Sequence, residues 1–218
     1  MKSSNRPLIS VIMNCHNGDR YLKKSIQSVI SQNYKNWELI FWDNNSTDKS
    51  EIIFKSFKDK RLKYFKSKKY LKLYKARNKA IEKSKGKYIT FIDTDDWWLK
   101  KKLEKLHTAF RKNKSYKIIY SNWYVFNDLT KTKKIFNNMK LPTGKITQKL
   151  LHKYEINVGT IMISKDIFKK FKFNEKFEII GDFDLFIKLS LKYRFLSIQS
   201  PLSYYRLHKK NFSNNFKL

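Results

Sequence analysis

Three carboxylates crowd into four positions at the end of an apolar run, Asp93, Asp95 and Asp96 in "YITFIDTDDWW" (Tyr88 to Trp98), in a chain with 49 Lys and Arg against 18 Asp and Glu. Like charges this close repel, so the arrangement calls for a cation between them. Two or three carboxylates at a strand end are the ligand set of a hard divalent ion such as Mg²⁺ or Mn²⁺, which keeps water and substrate phosphate in the rest of its shell. An ion held there would hold a diphosphate. Asp also caps helices well, so the spacing alone is equally compatible with a solvated acidic turn that starts the next helix. The apolar strand before the turn and Trp97-Trp98 after it anchor it on both sides, which favours the site.

Two further acidic clusters have the same double reading. In "FWDNNSTDKS", Asp43 ends an apolar run, where its carboxylate would accept hydrogen bonds from a planar donor such as a nucleobase amide; the alternative is a plain loop with Ser46 or Asp48 starting a helix. In "EIIGDFDLFIKL", Asp182 and Asp184 stand at the start of an amphipathic helix. The helix dipole stabilises a carboxylate there, so capping explains one of the two and leaves the other for a general base. Position assigns the base to Asp182, which follows Gly181, where the chain can turn toward a cleft. Asp184 begins the periodic face of Phe183, Phe186 and Ile187 and is expected to serve the helix start. His208, in "YYRLHKKN", belongs on residue type alone to the surface more readily than to a ligand set.

These clusters need elements to hold them. "LISVIMN" (Leu8 to Asn14) is a short branched apolar run, a buried strand, and Asn17-Gly18 then mark a turn before a helix face of Leu22, Ile26, Val29 and Ile30. "ELIFW" (Glu38 to Trp42) and "LKYF" (Leu62 to Phe65) are further strands, separated by a helix through Ile52, Ile53 and Phe57. A helix with Leu73, Ala76, Ala80 and Ile81 on one face leads to the strand "YITFI", and a helix through Leu99, Leu103, Leu106 and Phe110 leads to "KIIYS" (Lys117 to Ser121). Strands alternating with helices predict an α/β fold with a mostly parallel, Rossmann-like sheet flanked by helices. Ligands bind such sheets outside the carboxyl ends of the strands, so Asn14 and His16, the loop from Asp43 to Asp48, and the turn from Asp93 to Asp96 are expected to meet in one cleft. Past about Asn127 the alternation fails. Residues 127–145 are polar and Lys-rich, with Pro142 and Gly144, and are expected to form an excursion or loop; "TIMIS", "DFDLFIKLSL", "RFLSI" and "LSYYR" then make a mixed C-terminal half. The expected division is 1–126 for a nucleotide-sugar-binding half and 127–218 for an acceptor-binding, base-carrying half of the same domain.

Composition bounds the function. At 218 residues, with 41% hydrophobic and 16% aromatic residues, the chain can bury a full core and is no candidate for disorder. A formal charge of +31 suggests nucleic acid or an anionic membrane surface. The excess is 42 Lys against 7 Arg, alongside 18 Asn and only 3 Ala, the usage of a very AT-rich coding sequence, and it is spread along the whole chain rather than concentrated on one element. A specific nucleic-acid partner is therefore not expected; loose peripheral contact with a membrane is. Cys15 is the single cysteine, which excludes an internal disulfide and fits a reduced compartment. With no signal-peptide pattern and no run of about 20 apolar residues, the expected location is cytoplasmic, with peripheral contact on the cytoplasmic face of the inner membrane.

Taken in order, "SVIMNCHNGDRYLKKSIQSVISQNYKNWELIFWDNNSTDKS", "KARNKAIEKSKGKYITFIDTDDWW", "IIGDFDLFIKLSL" and "PLSYYRLHKKN" resemble the family 2 nucleotide-sugar glycosyltransferases of the GT-A fold, over nearly the whole chain. The resemblance implies that Asp43 contacts the base, most often uracil, and that Arg77 in "ARN" lies near the nucleotide. "DTDD" looks like the family's DXD element. Asp93 would then face the ribose or metal and Asp95 the metal and diphosphate, with Thr94 between them and Asn14 and His16 completing the nucleotide-sugar site. Asp182 matches the family's catalytic Asp, and His208 a late histidine that in some members approaches the metal. Two positions depart from the pattern: Gly181 stands where the family commonly has Glu beside the catalytic Asp, and "MNCHNG" replaces the commoner Pro-Thr-Tyr-Asn form of the first loop. The implied activity is a Mn²⁺- or Mg²⁺-dependent, hexosyltransferase-like, inverting glycosyltransferase. It would move a sugar from a nucleotide-diphosphate sugar, a UDP-sugar first, to a glycan or lipid-linked glycan acceptor of lipopolysaccharide or capsule type. A nucleotidyltransferase would share the sheet and paired Asp but lack the downstream base; a basic nucleic-acid-binding domain would need none of the carboxylates.

Overall fold

Four apolar runs of the first half form the parallel part of a sheet, in the order β3-β2-β1-β4: β1 (Ile9–Cys15), β2 (Trp37–Asp43), β3 (Leu62–Lys66) and β4 (Tyr88–Phe91). The structure, a computed structural model, describes residues 6–209 and 211. β1 and β2 are apolar with little alternation because helices cover both faces of the sheet. Successive residues feed opposite cores. Ile9, Val11 and Met13 pack with Leu39 and Phe41 under α1 (Asp19–Ile30), α2 (Ser50–Ser56) and α4 (Lys102–Lys112). Ile12, Ile40 and Trp42 pack on the other face under α3 (Leu73–Lys83), α5 (Thr147–His152) and α6 (Gly181–Lys192).

The second half completes the same sheet. β8 (Ile161–Ser164) inserts antiparallel between β4 and β6 (Ile118–Asn127), so β6 points with β4, and β9 (Phe195–Leu207) runs parallel to β6. Six of the nine described strands therefore share one direction, with β8, β5 (Trp97–Trp98) and β7 (Lys133–Ile135) opposed. The expected α/β sheet is present, parallel at its first four strands and mixed beyond them.

Several expected boundaries move. The strand expected at Lys117 to Ser121 runs on to Asn127, and the polar stretch after it folds back as β7, pairing Tyr124 with Ile135. The polarity of that stretch reflects an exposed edge strand, where lysines are common because they discourage further pairing. "RFLSI" and "LSYYR" are one continuous strand, β9, across Pro201. Proline has no N–H to give a ladder, and Pro201 falls where the β6–β9 register is irregular, opposite Asn122.

Candidate active site

The carboxyl ends of β1, β2 and β4 open on one cleft of about 370 Å³, within the range of small-ligand sites. Its walls include Asn14 and His16 from the end of β1, Asn44 after β2, Arg77 from α3, Asp93, Thr94 and Asp95 from the turn after β4, and Asp182 from α6. The expected convergence of three strand ends thus takes place. Two of the expected residues are not among the walls, His208 and Asp43; Asp43 is fully buried, with its carboxylate accepting from the Ser46 backbone N–H at 2.8 Å and the Tyr64 hydroxyl at 2.5 Å. Lys49 takes the N-cap position of α2, but Asp48 beside it holds the starts of two helices, accepting from the first backbone N–H of α2, Ser50, and of α1, Asp19, at 2.9 Å each.

The acidic turn is held from several sides. Ser25 of α1 donates to the Asp93 carbonyl at 3.0 Å, and Gly18 lets α1 start against Thr94, whose Oγ1 would lie 2.8 Å from a Cβ there. Asp96 points away from the cleft: it is buried, accepts from the Arg206 backbone N–H at 2.9 Å, and its carboxyl is pushed well up by burial and by its two acidic neighbours. Arg206 also donates from Nε to the Asp95 carbonyl at 2.9 Å and from Nη1 to Asp128 at 2.7 Å. Beneath the turn lies a fully buried Lys102, its ammonium donating to the Gly159 carbonyl at 2.5 Å and pushed down to about 7 by burial, with Asp96 opposing.

Asp93 and Asp95 then face different partners. Arg77 is buried among the Tyr74, Phe91 and Phe173 rings and reaches Asp93 at 3.2 Å. Burial raises the Asp93 carboxyl, and the Arg77 charge opposes that rise. Asp95 is matched instead with His208, whose Nε2 lies 2.9 Å from its carboxylate. So His208, a surface histidine on residue type, is nine-tenths buried and joined to the acidic turn. No three His, Cys, Asp or Glu side chains among the described residues are preassembled around one point. The Asp95 carboxylate at the cleft and the His208 imidazole against it are side chains that could hold a divalent cation.

Asp182 occupies the first turn of α6, which has no side-chain cap. Its two oxygens meet two phenols, Tyr74 at 3.2 Å and Tyr154 at 3.2 Å. Asp184 does not cap the helix either; it pairs with Lys188, one turn on, at 2.8 Å. On its outer side Asp182 opens into a second hollow of about 360 Å³, walled by Val125, Phe136, Tyr154, Tyr205 and Leu207, with Trp123 stacked under Phe136 at 3.8 Å. Sequence reasoning did not single out Tyr74, Tyr154, Lys102 or Arg206. Arg206 stands two residues before His208, and Tyr74 three before Arg77 on the same helix, so proximity to motif residues was the available signal.

Comparison with known proteins agrees with this architecture. Residues 10–172 match the model of "Glycosyl transferase family 2". An uncharacterized glycosyltransferase of Methanocaldococcus jannaschii is 31% identical over 97% of this chain and 75% of its own length. WfgD of Escherichia coli, a UDP-Glc:alpha-D-GlcNAc-diphosphoundecaprenol beta-1,3-glucosyltransferase, is 29% identical over 95% of this chain and 80% of its own. Among solved structures, TarS of S. aureus in complex with UDP-GlcNAc superposes with a TM-score of 0.76 at 17% identity, covering 96% of this chain; this chain spans 61% of that one. Fold, family model and relatives agree, and the chain belongs to glycosyl transferase family 2.

Proposed function

We propose that this protein is an inverting glycosyltransferase that moves a sugar from a UDP-sugar to a hydroxyl of a lipid-linked, growing surface glycan. One observation carries the reading: Asp182 belongs to the walls of both the carboxylate-lined cleft and the aromatic hollow beside it. A base at such a junction can take the proton of a hydroxyl entering from one side while the donor lies on the other. The acceptor oxygen then attacks the anomeric carbon from the face opposite the diphosphate, and the C–O bond to the diphosphate breaks. Asn14, His16, Asn44 and Arg77 line the donor side, where Asp43, behind them, keeps the β2 loop in shape for the base. Asp95 and His208 are the residues that would hold Mn²⁺ or Mg²⁺, with Asp93 beside them. The ion, when bound, neutralises charge growing on the leaving diphosphate. Asn14 supports a polar ligand in this cleft, since both its amide atoms are buried without a protein partner.

The acceptor side is aromatic, as suits the apolar face of a sugar ring. The lipid-linked acceptor of WfgD supports the acceptor class. A peripheral membrane position fits the +31 charge and the exposed Leu129 and Met139 near the β6–β7 hairpin. No helix among the described residues is long and apolar enough to cross a membrane. Calorimetry with UDP, with and without Mn²⁺, tests the donor assignment on the native chain and on Asp95→Asn. Metal-dependent binding that Asp95→Asn weakens at least tenfold is expected; equal affinity in all four titrations overturns it.

A further inference from the structure

The neighbourhood of Gly181 explains how this chain manages without a side chain next to its base. Gly181 is the first residue of α6, and a Cβ built on it would lie 2.5 Å from two ring carbons of Tyr74 and 2.8 Å from a third. Real Cβ atoms are not found so close, so the ring of Tyr74 occupies the volume that any other residue at 181 would need. Tyr74 is itself 2% exposed, stacked on Phe173 at 5.4 Å, and cannot swing away without opening the core between α3 and α6. Its single hydroxyl proton is shared between two acceptors, the Ile179 carbonyl and, at 3.2 Å, one oxygen of Asp182. The other oxygen of Asp182 is met by the Tyr154 hydroxyl, whose ring packs edge-on against Phe183 at 5.1 Å. Burial first and then the Asp182 charge push both phenols upward, so both stay protonated, Tyr154 donating to Asp182 and Tyr74 sharing its proton between Asp182 and Ile179.

We propose that Gly181 and Tyr74 are a matched pair, and that Tyr74, together with Tyr154, is a positioning residue that orients the Asp182 carboxylate in place of an acidic neighbour at 181. The inference rests on the reading of Asp182 as the base, and deepens it. With Gly at 181 no side chain stands there, and the two phenols occupy the space around the carboxylate. The aromatic pair therefore orients the carboxylate between the two hollows.

A thermal and kinetic cycle over the two positions tests the pairing. Gly181→Ala in the native background is expected to lower the melting temperature by several degrees, whereas in a Tyr74→Ala background the same change should move it by less than one degree, because the ring it strikes is gone. Equal shifts in the two backgrounds overturn the pairing, whatever Asp182 does. Tyr74→Phe keeps the ring and removes the hydroxyl, so a purely structural role predicts no kinetic change. With UDP-glucose and UDP-N-acetylglucosamine as probes and UDP release as the readout, we expect Tyr74→Phe and Tyr154→Phe each to lower kcat about threefold or more. UDP affinity should be kept, and the double variant should lose more kcat than either single one. An unchanged kcat in both single variants and the double, or a loss of UDP affinity in step with kcat, overturns the positioning role. Asp182→Asn separates the two claims: if it abolishes release while the Phe variants are silent, only the positioning role falls, whereas if it leaves release intact, the base assignment falls and the pairing stands or falls on the melting cycle.

Discussion

Arg206→Met removes the guanidinium that ties the last strand to the acidic turn, and its cost follows from what is left behind. The side chain is 6% exposed, and it pairs with Asp128, itself 13% exposed, at 2.7 Å. It also donates to the Asp95 carbonyl at 2.9 Å and lies 4.2 Å from the Tyr21 ring centre and 4.7 Å from that of Trp97. Stranding one member of a buried ion pair costs about 3–5 kcal/mol. Asp128 would keep the Tyr21 hydroxyl at 2.7 Å and Lys131 at 3.2 Å, so the lower end, about 3 kcal/mol, is expected. For a chain of this size that is a drop of about 6–12 °C in melting temperature. Methionine fills much of the arginine's apolar volume, so the loss reports the polar contacts. Asp128→Asn strands the cation in turn, and the double variant should fall short of the sum of the singles by at least about 1 kcal/mol, as contacting residues do.

Differential scanning calorimetry of the four proteins between pH 3 and 7 gives a second reading. The Tyr21 hydroxyl first, then Lys131 and Arg206, hold the Asp128 carboxyl well below the usual carboxylate range. A group lowered on folding contributes stability that is fully present above its unfolded value, about 4, and is lost as the pH falls through its folded value. The native protein should therefore lose more stability on acidification than Asp128→Asn does. Additive single variants, or a melting change below one degree for Arg206→Met, would refute the reasoning.

Asp182→Asn should lower transfer by about 10²- to 10⁴-fold while UDP affinity is nearly unchanged; Asp184→Asn, which breaks only an exposed pair with Lys188, should cost no more than about 0.5 kcal/mol in a denaturant melt. Phe136→Ala opens the aromatic hollow on the acceptor side and should raise the acceptor KM at least fivefold with donor KM unchanged, measured in the same transfer assay. Vesicle co-sedimentation at low salt should show a preference for anionic over neutral lipid, reduced by Leu129→Glu with Met139→Glu; equal binding to both lipids would remove the membrane contact.

Much of the first half was legible because its physics is local. A short run of branched apolar residues between turn formers is a strand wherever it is buried on both faces, and β1 to β4 appear within about a residue of where the pattern places them. The amphipathic faces of α1, α3 and α4 are apolar stripes with helical spacing, so their buried sides were readable as well. Even so, the stripe on α3 was incomplete. Tyr74, Arg77 and Asn78 are buried on that helix beside Ala76 and Ala80, and a hydrophobic pattern does not count a charged or amide side chain as interior.

By itself, then, the sequence determined the alternating elements, the strand-end location of the acidic turn, and the presence of Asp182 at a helix start. Only the tertiary structure decided which of these groups meet. β8 pairs with β4 from more than seventy residues away, and no local rule orders strands that distant. Asp95 finds His208 across 113 positions, and Arg206 braces Asp95 across 111. Asp43, the most conspicuous acid of the second strand end, withdraws into the protein to hold Ser46 and Tyr64, whereas Asp182 is met by two tyrosines, Tyr74 drawn from α3 and Tyr154 from the segment between α5 and β8. Periodicity specifies a face, but a hydrogen bond needs a distance. Distances between remote segments come from how the two cores pack against the sheet.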